Sequence, residues 1–123
     1  MYLNLKKIFL TIWKRVVLQK KSQAEKNIKP PTTFIIKQNH PNPFNPTTRI
    51  HYRIPKDIHA SITVFNDKGE KIKVLVSKDH EAGYYHVDWD ARNREGKLVQ
   101  GGVYFYQFQS RDYLKTRQMI LLK

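Results

Sequence analysis

The stretch TRIHYRI, Thr48 to Ile54, decides the fold. Ile50, Tyr52 and Ile54 fall on one side of an extended chain, and Arg49, His51 and Arg53 fall on the other. Side chains alternate across a strand with a period of two, so this run reads as a strand with one face buried. Pro55 ends it, because proline has no N–H to give to a ladder. The same period recurs downstream. ASITVFN carries Ala60, Ile62 and Val64 on one face, and KIKVLV carries Ile72, Val74 and Val76. Between them lies NDKGE, where Gly69 can take the positive φ of a tight hairpin.

After a turn read over SKDHEAG (77–83), YYHVDWD places Tyr85, Val87 and Trp89 opposite His86 and Asp88. A polar loop, ARNREGKLVQGG, leads into VYFYQFQS, where Tyr104, Tyr106 and Phe108 share a face. The chain closes with YLKTRQMILLK, in which Met119 and Leu121 oppose Ile120 and Leu122. With TFIIK (33–37) this makes seven short β-runs separated by turn signals and no helical period after Thr33. Such a pattern specifies an all-β, Ig-like antiparallel sandwich. The expected core is Ile50, Tyr52, Ile62, Val64, Val74, Val87, Trp89, Tyr104, Tyr106 and Met119, with Trp89 at its centre.

Upstream of the deciding strand the sequence is unusual. HPNPFNP (40–46) holds three prolines in seven residues. A residue before proline is pushed toward extended conformations, so Asn42 and Asn45 are restricted and the segment is expected to run close to polyproline II. Phe44, between the prolines, can plug into the sandwich, and proline can seal a sheet edge against unwanted pairing.

The first quarter of the chain differs in composition. The 123 residues carry a net charge of +13, and residues 1–29 hold eight Lys or Arg against Glu25 alone. Leu5, Ile8, Phe9, Ile12, Trp13, Val16 and Val17 follow helical spacing, which makes 1–29 a basic amphipathic helical arm or a degenerate leader. The longest uncharged apolar run, Ile8 to Trp13, falls short of the roughly 7–15 residues of a secretory signal core and of the roughly 20 of a spanning helix. No convincing signal peptide is present, so delivery to a periplasm is left open. The arm suits a membrane surface, with Trp13 and Phe9 beside lysines. No motif points to specific nucleic-acid binding. Residues 30–33, which include Pro30-Pro31, read as a linker.

Chemistry-bearing groups are sparse. The chain has no cysteine, which excludes disulfides and thiolate sites. His51 and His86 lie on outward strand faces, but further zinc ligands at fixed spacing are not evident, and the five histidines read as solvated. DWDARNREG does not meet the calcium-loop spacing. Neither a nucleophile–base pair nor a phosphate loop is found. No metal, no cofactor and no enzymatic activity are expected.

Together, QNHPNPFNPTTRIHYRIP, VFNDKGEKIKVLV, EAGYYHVDWDARNREGKLVQGGVYFYQF and TRQMILLK closely resemble the C-terminal sorting domain of type IX secretion cargo. This is the type A Por secretion tail of Bacteroidetes-like bacteria, and a related Ig-like module occurs in flagellar hook-capping proteins. The resemblance covers 34–123. It implies a tail read by the outer-membrane translocon after export to the periplasm, and then removed by a sortase that attaches cargo to the cell surface. By position, the recognition motifs fall on Pro41, Asn42, Pro43, Phe44, Asn45 and Pro46, on Gly102, Val103 and Tyr104, and on Lys115 to Lys123 with Leu121, Leu122 and Lys123 at the end. His40 stands where the family usually has tyrosine. The chain lacks the large passenger and clear signal peptide of such cargo. The alternative expectation is a structural assembly module of the hook-capping kind.

Overall fold

The structure, a computed structural model, describes residues 33–123. The arm read over 1–29 and most of the linker read over 30–33 lie outside the described residues. Seven strands form: β1 (Ile35–Ile36), β2 (Thr48–Ile54), β3 (Ile58–Asn66), β4 (Lys71–His80), β5 (Gly83–Trp89), β6 (Gly102–Ser110) and β7 (Leu114–Leu121). They build two sheets, ordered β1-β2-β5 and β4-β3-β6-β7, in which every neighbouring pair is antiparallel. The fold is therefore the all-β, Ig-like sandwich that the alternating pattern specifies.

Alternation explains which side chains meet. Along β2 the residues facing the second sheet are Ile50, Tyr52 and Ile54, and β5 sets Val87 and Tyr85 opposite the first two. From the other sheet come Ile62 and Val64 of β3, Tyr104, Tyr106 and Phe108 of β6, and Met119 and Leu121 of β7, all buried. Trp89, 1% exposed, sits against Phe44 and Tyr104 with ring centroids 5.8 and 5.3 Å away. Its indole N–H donates to the carbonyl of Arg92 at 2.9 Å, so the buried polar edge is satisfied.

β4 departs from the expected pattern. Its register against β3 slips at two places: Ile62 faces Val76 but Thr63 faces Val74, and Val64 faces Lys73 but Phe65 faces Lys71. Leu75 and Ile72 are the extra residues of two bulges. Each extra residue turns the strand, so the buried-side set becomes Ile72, Leu75 and Val76, while Val74 is 43% exposed. Val74 is thus a surface residue, not a core one.

β4 also runs on through Ser77, Lys78 and Asp79 to His80, where a turn was expected. These residues pair with Ser61, Ala60, His59 and Ile58. His80 is only 3% exposed: its Nδ1 lies 3.0 Å from the Lys78 carbonyl and its Nε2 2.8 Å from the Tyr52 hydroxyl. A carbonyl can only accept, so Nδ1 carries the proton and Nε2 accepts from Tyr52. His80 is therefore a core histidine, contrary to its reading as solvated.

Candidate functional site

The segment before β2 does not run as polyproline II. It bends at Pro41–Pro43 and again at Asn45–Pro46, and the peptide bonds preceding Pro41, Pro43 and Pro46 are cis. The bends point Phe44 inward, where it is 1% exposed, and leave Pro41, Asn42, Pro43, Asn45 and Pro46 on the surface.

What fixes the segment is the end of β7. β6 occupies one side of β7, with Gly102, Val103 and Tyr104 facing Leu121, Ile120 and Met119. On β7's other side the Phe44 N–H donates to the Ile120 carbonyl at 3.0 Å, and the Leu122 N–H donates to the Phe44 carbonyl at 2.8 Å, giving a parallel bridge. The Asn42 side-chain oxygen accepts from the Ile120 N–H at 2.9 Å. Three backbone groups on the side of β7 away from β6 are thereby used. Pro43 and Pro46 on either side lack N–H groups, so the pairing cannot extend.

Three chain segments of the resemblance thus converge at one corner. Phe44, Tyr104 and Leu121 point inward as anchors. Val103, Ile120 and Leu122 point outward, 37%, 38% and 51% exposed, beside the exposed Pro41, Asn42, Pro43, Asn45, Pro46, Gly102 and Lys123. Lys115 is not part of it, because it faces Phe108 toward the opposite end of the β6–β7 pair. Gly102 has φ +148°, a backbone state that side chains disfavour. At the neighbouring Gly101 a Cβ would sit 2.9 Å from the Lys123 Cβ and 3.1 Å from the Leu121 carbonyl oxygen. The missing side chain at Gly101 lets the β5–β6 loop pass close to Leu121 and Lys123.

A polar network behind the corner was not legible in the sequence. Asn39 is buried. Its N–H donates to the Tyr106 hydroxyl at 2.9 Å, and that hydroxyl donates to the Lys37 carbonyl at 2.6 Å. The Asn39 amide donates to Thr48 Oγ1 at 3.0 Å and to the Pro41 carbonyl at 3.1 Å, and Thr48 donates to the same carbonyl at 2.8 Å. Burial pushes the Tyr106 phenol up to about 12, so it stays a neutral donor. Along the β7 edge, Gln38 donates to the Gln118 carbonyl and Arg117 to the Ile36 carbonyl. The signal available was the QN pair before the prolines, two side-chain amides where a loop must bury its backbone.

Catalytic or metal-binding geometry is not part of the corner. Among the described residues no three His, Cys, Asp or Glu side chains come together as metal ligands. In the loop over 88–97, Asp88 pairs with Arg49, Asp90 accepts from the Arg92 N–H, and Asn93 accepts from the N–H groups of Glu95 and Lys97. Asp90 and Asn93 thus hold the loop's own shape, and Asp88 ties β5 to β2.

Among solved structures, dimeric latent PorU from Porphyromonas gingivalis matches 77% of this chain and 10% of its own, with TM-score 0.58 and 14% identity. PorZ of the same organism, described as an essential bacterial surface component of the type IX secretion system, matches 72% of this chain and 11% of its own, with TM-score 0.49 and 19% identity. FlgD from P. aeruginosa matches 60% and 57% of the respective chains, with TM-score 0.48 and 21% identity. This chain therefore spans about a tenth of the length of the PorU and PorZ chains. The PorU likeness is one of fold. No curated protein matches the sequence. The model of the FlgD Ig-like domain matches residues 42–112, more than half of the chain, and the protein belongs to the FlgD Ig-like domain family.

Proposed function

We propose that residues 34–123 are a non-catalytic targeting module whose corner is read by the outer-membrane translocon of a type IX secretion system. The outcome is export across the outer membrane and attachment at the cell surface, with the sortase of that system as a second partner. The observation that supports this reading is the convergence of segments far apart in sequence, Asn42–Phe44, Gly102–Tyr104 and Ile120–Leu122, into one hydrogen-bonded unit. Burial divides the motif into anchors and readers. Phe44, Tyr104 and Leu121 hold the shape, and Asn42, Asn45, the three prolines, Val103, Leu122 and Lys123 present it. A surface held rigid before binding spends less of its contact energy on ordering, which suits a tag read many times on different cargo.

The test is export of a reporter that reaches the periplasm and carries residues 30–123 at its C-terminus, in a bacterium with type IX machinery. Surface delivery is expected, and periplasmic retention contradicts the reading. The basic arm is assigned to membrane-surface contact, which vesicle binding lost at high salt would reveal.

A second reading is an assembly module, as the resemblance to hook-capping proteins implies. It is favoured by the family match ending at residue 112, before β7, so the matched part does not require the chain end. Concentration-dependent self-association in sedimentation experiments would support it, while a monomer that is exported would exclude it.

A further inference from the structure

The outward face of the β1-β2-β5 sheet carries a pair of histidines that the targeting role does not use. His51 and His86 are register partners on β2 and β5, both exposed, with ring centroids 5.7 Å apart and planes inclined at 52°. We propose that this cross-strand pair is a bis-imidazole site for late first-row divalent cations: zinc, nickel and copper.

The geometry suits a chelate. A metal–imidazole bond is about 2.0–2.1 Å, which places each ring centre roughly 3 Å from the ion and the two centres about 5 Å apart at a tetrahedral angle. Small side-chain rotations on exposed strands close the difference from 5.7 Å. The backbones are already held in register by β2–β5 pairing, so the second imidazole is presented at high effective concentration once the first has bound. Among the described residues neither ring makes a hydrogen bond, in contrast to His59, which lies 3.0 Å from Asp79, and to His80, which lies 2.8 Å from the Tyr52 hydroxyl.

The surroundings set the selectivity. One row along, the Asp88 carboxylate is gripped by Arg49 at 2.7 and 3.1 Å. On the other side the Arg53 guanidinium lies over the Tyr84 ring, 4.8 Å from its centroid. The carboxylate that a calcium or magnesium ion would want is already neutralised, whereas imidazole prefers zinc, nickel and copper. With two protein ligands, water completes the shell, which agrees with the lack of any three-residue ligand group among the described residues. This inference does not depend on the targeting role.

Isothermal titration of the full chain with zinc, nickel, magnesium and calcium chlorides tests it, alongside histidine ring resonances by NMR. One zinc or nickel equivalent is expected, with the His51 and His86 ring signals shifting together and no response to magnesium or calcium. His51→Asn and His86→Asn should each weaken zinc roughly a hundredfold, the loss of a linked second ligand, and the double variant should lose little more than either alone. His59→Asn should bind as the wild type. Wild-type zinc affinity in both His51→Asn and His86→Asn, or loss confined to His59→Asn, overturns the proposal. Because both side chains are exposed, circular dichroism should show all variants folded.

Discussion

Phe44 and Trp89 pack on each other at the centre of the corner. Phe44 comes from a loop and Trp89 from the last position of β5, so their contact closes the sandwich at one end. Truncating a buried aromatic leaves a cavity that the surroundings fill only in part, at about 3–5 kcal/mol. Trp89→Ala and Phe44→Ala should each lower stability by about that amount in urea unfolding. Phe44→Ala should in addition expose the Ile120 and Leu122 amides to faster hydrogen exchange, because the strand partner they use is no longer anchored. A further residue-scale device is His80. Burial holds its imidazole below its ordinary value of 6.5, against opposing influences from the Lys78 carbonyl and Asp79, while Lys78 and His59 charges add to the lowering. The unfolded chain therefore takes up this proton first. Its stabilising contribution is complete above pH 6.5 and is lost as pH falls from 6.5 toward the lowered folded value. Protonated Nε2 can no longer accept from Tyr52, which gives the loss its structural form. The urea midpoint should drop on acidification from pH 7.5 to 5.5, and His80→Gln should flatten that dependence.

Among the elements, β2, β3, β6 and β7 were legible from alternation alone, because each presents one face to the core and one to water. TRIHYRI is the plainest case: its four alternate residues Thr48, Ile50, Tyr52 and Ile54 are all buried. β4 was legible only in part: KIKVLV was read as a strand, with Ile72 and Val76 on the buried side, but bulges at Leu75 and Ile72 shift the period and a period-two reading then assigns Val74 to the wrong side. His80 was missed for a related reason, since the polar run Ser77-Lys78-Asp79 resembles a turn and only pairing with β3 shows it to be strand. The proline block was read correctly as an edge seal and as the source of an inward Phe44, but not in its path. Its partner on β7 lies 78 residues away along the chain at the Asn42–Ile120 bond, and no local pattern encodes such a contact. The bond from Asn39 to Tyr106, 67 residues further along the chain, is hidden in the same way. The bulges yield an element-scale prediction. Val74→Lys should change stability by no more than about 0.5 kcal/mol, as for exposed positions. Leu75→Lys should be much more damaging, because it forces a charge among partly buried apolar neighbours. Equal effects of the two substitutions in thermal unfolding would contradict the two-bulge register.

At the scale of the whole molecule, the sandwich is a rigid stand for one end of itself. Its four-stranded sheet carries β6 and β7 out to the corner, and the opposing sheet supplies Trp89 and, through β2, the chain that bends back as the proline block. Folding and display are therefore the same event: the corner exists only when β7 has found both β6 and Phe44. The outer face of the small sheet, with His51 and His86, is separate from that corner in register and chemistry, so a metal bound there need not alter what a translocon would read. Family membership and fold fit both a targeting and an assembly role, and the exposed corner residues are what divides them. The most direct measurement is an export assay that compares two surface substitutions of like chemistry in the reporter fusion, each first shown to melt with the unsubstituted tail: Leu122→Ser at the corner and Leu114→Ser at the far end of β7. The corner reading predicts that Leu122→Ser leaves the reporter in the periplasm while Leu114→Ser delivers it to the surface. Delivery of both, at equal rates, would contradict it.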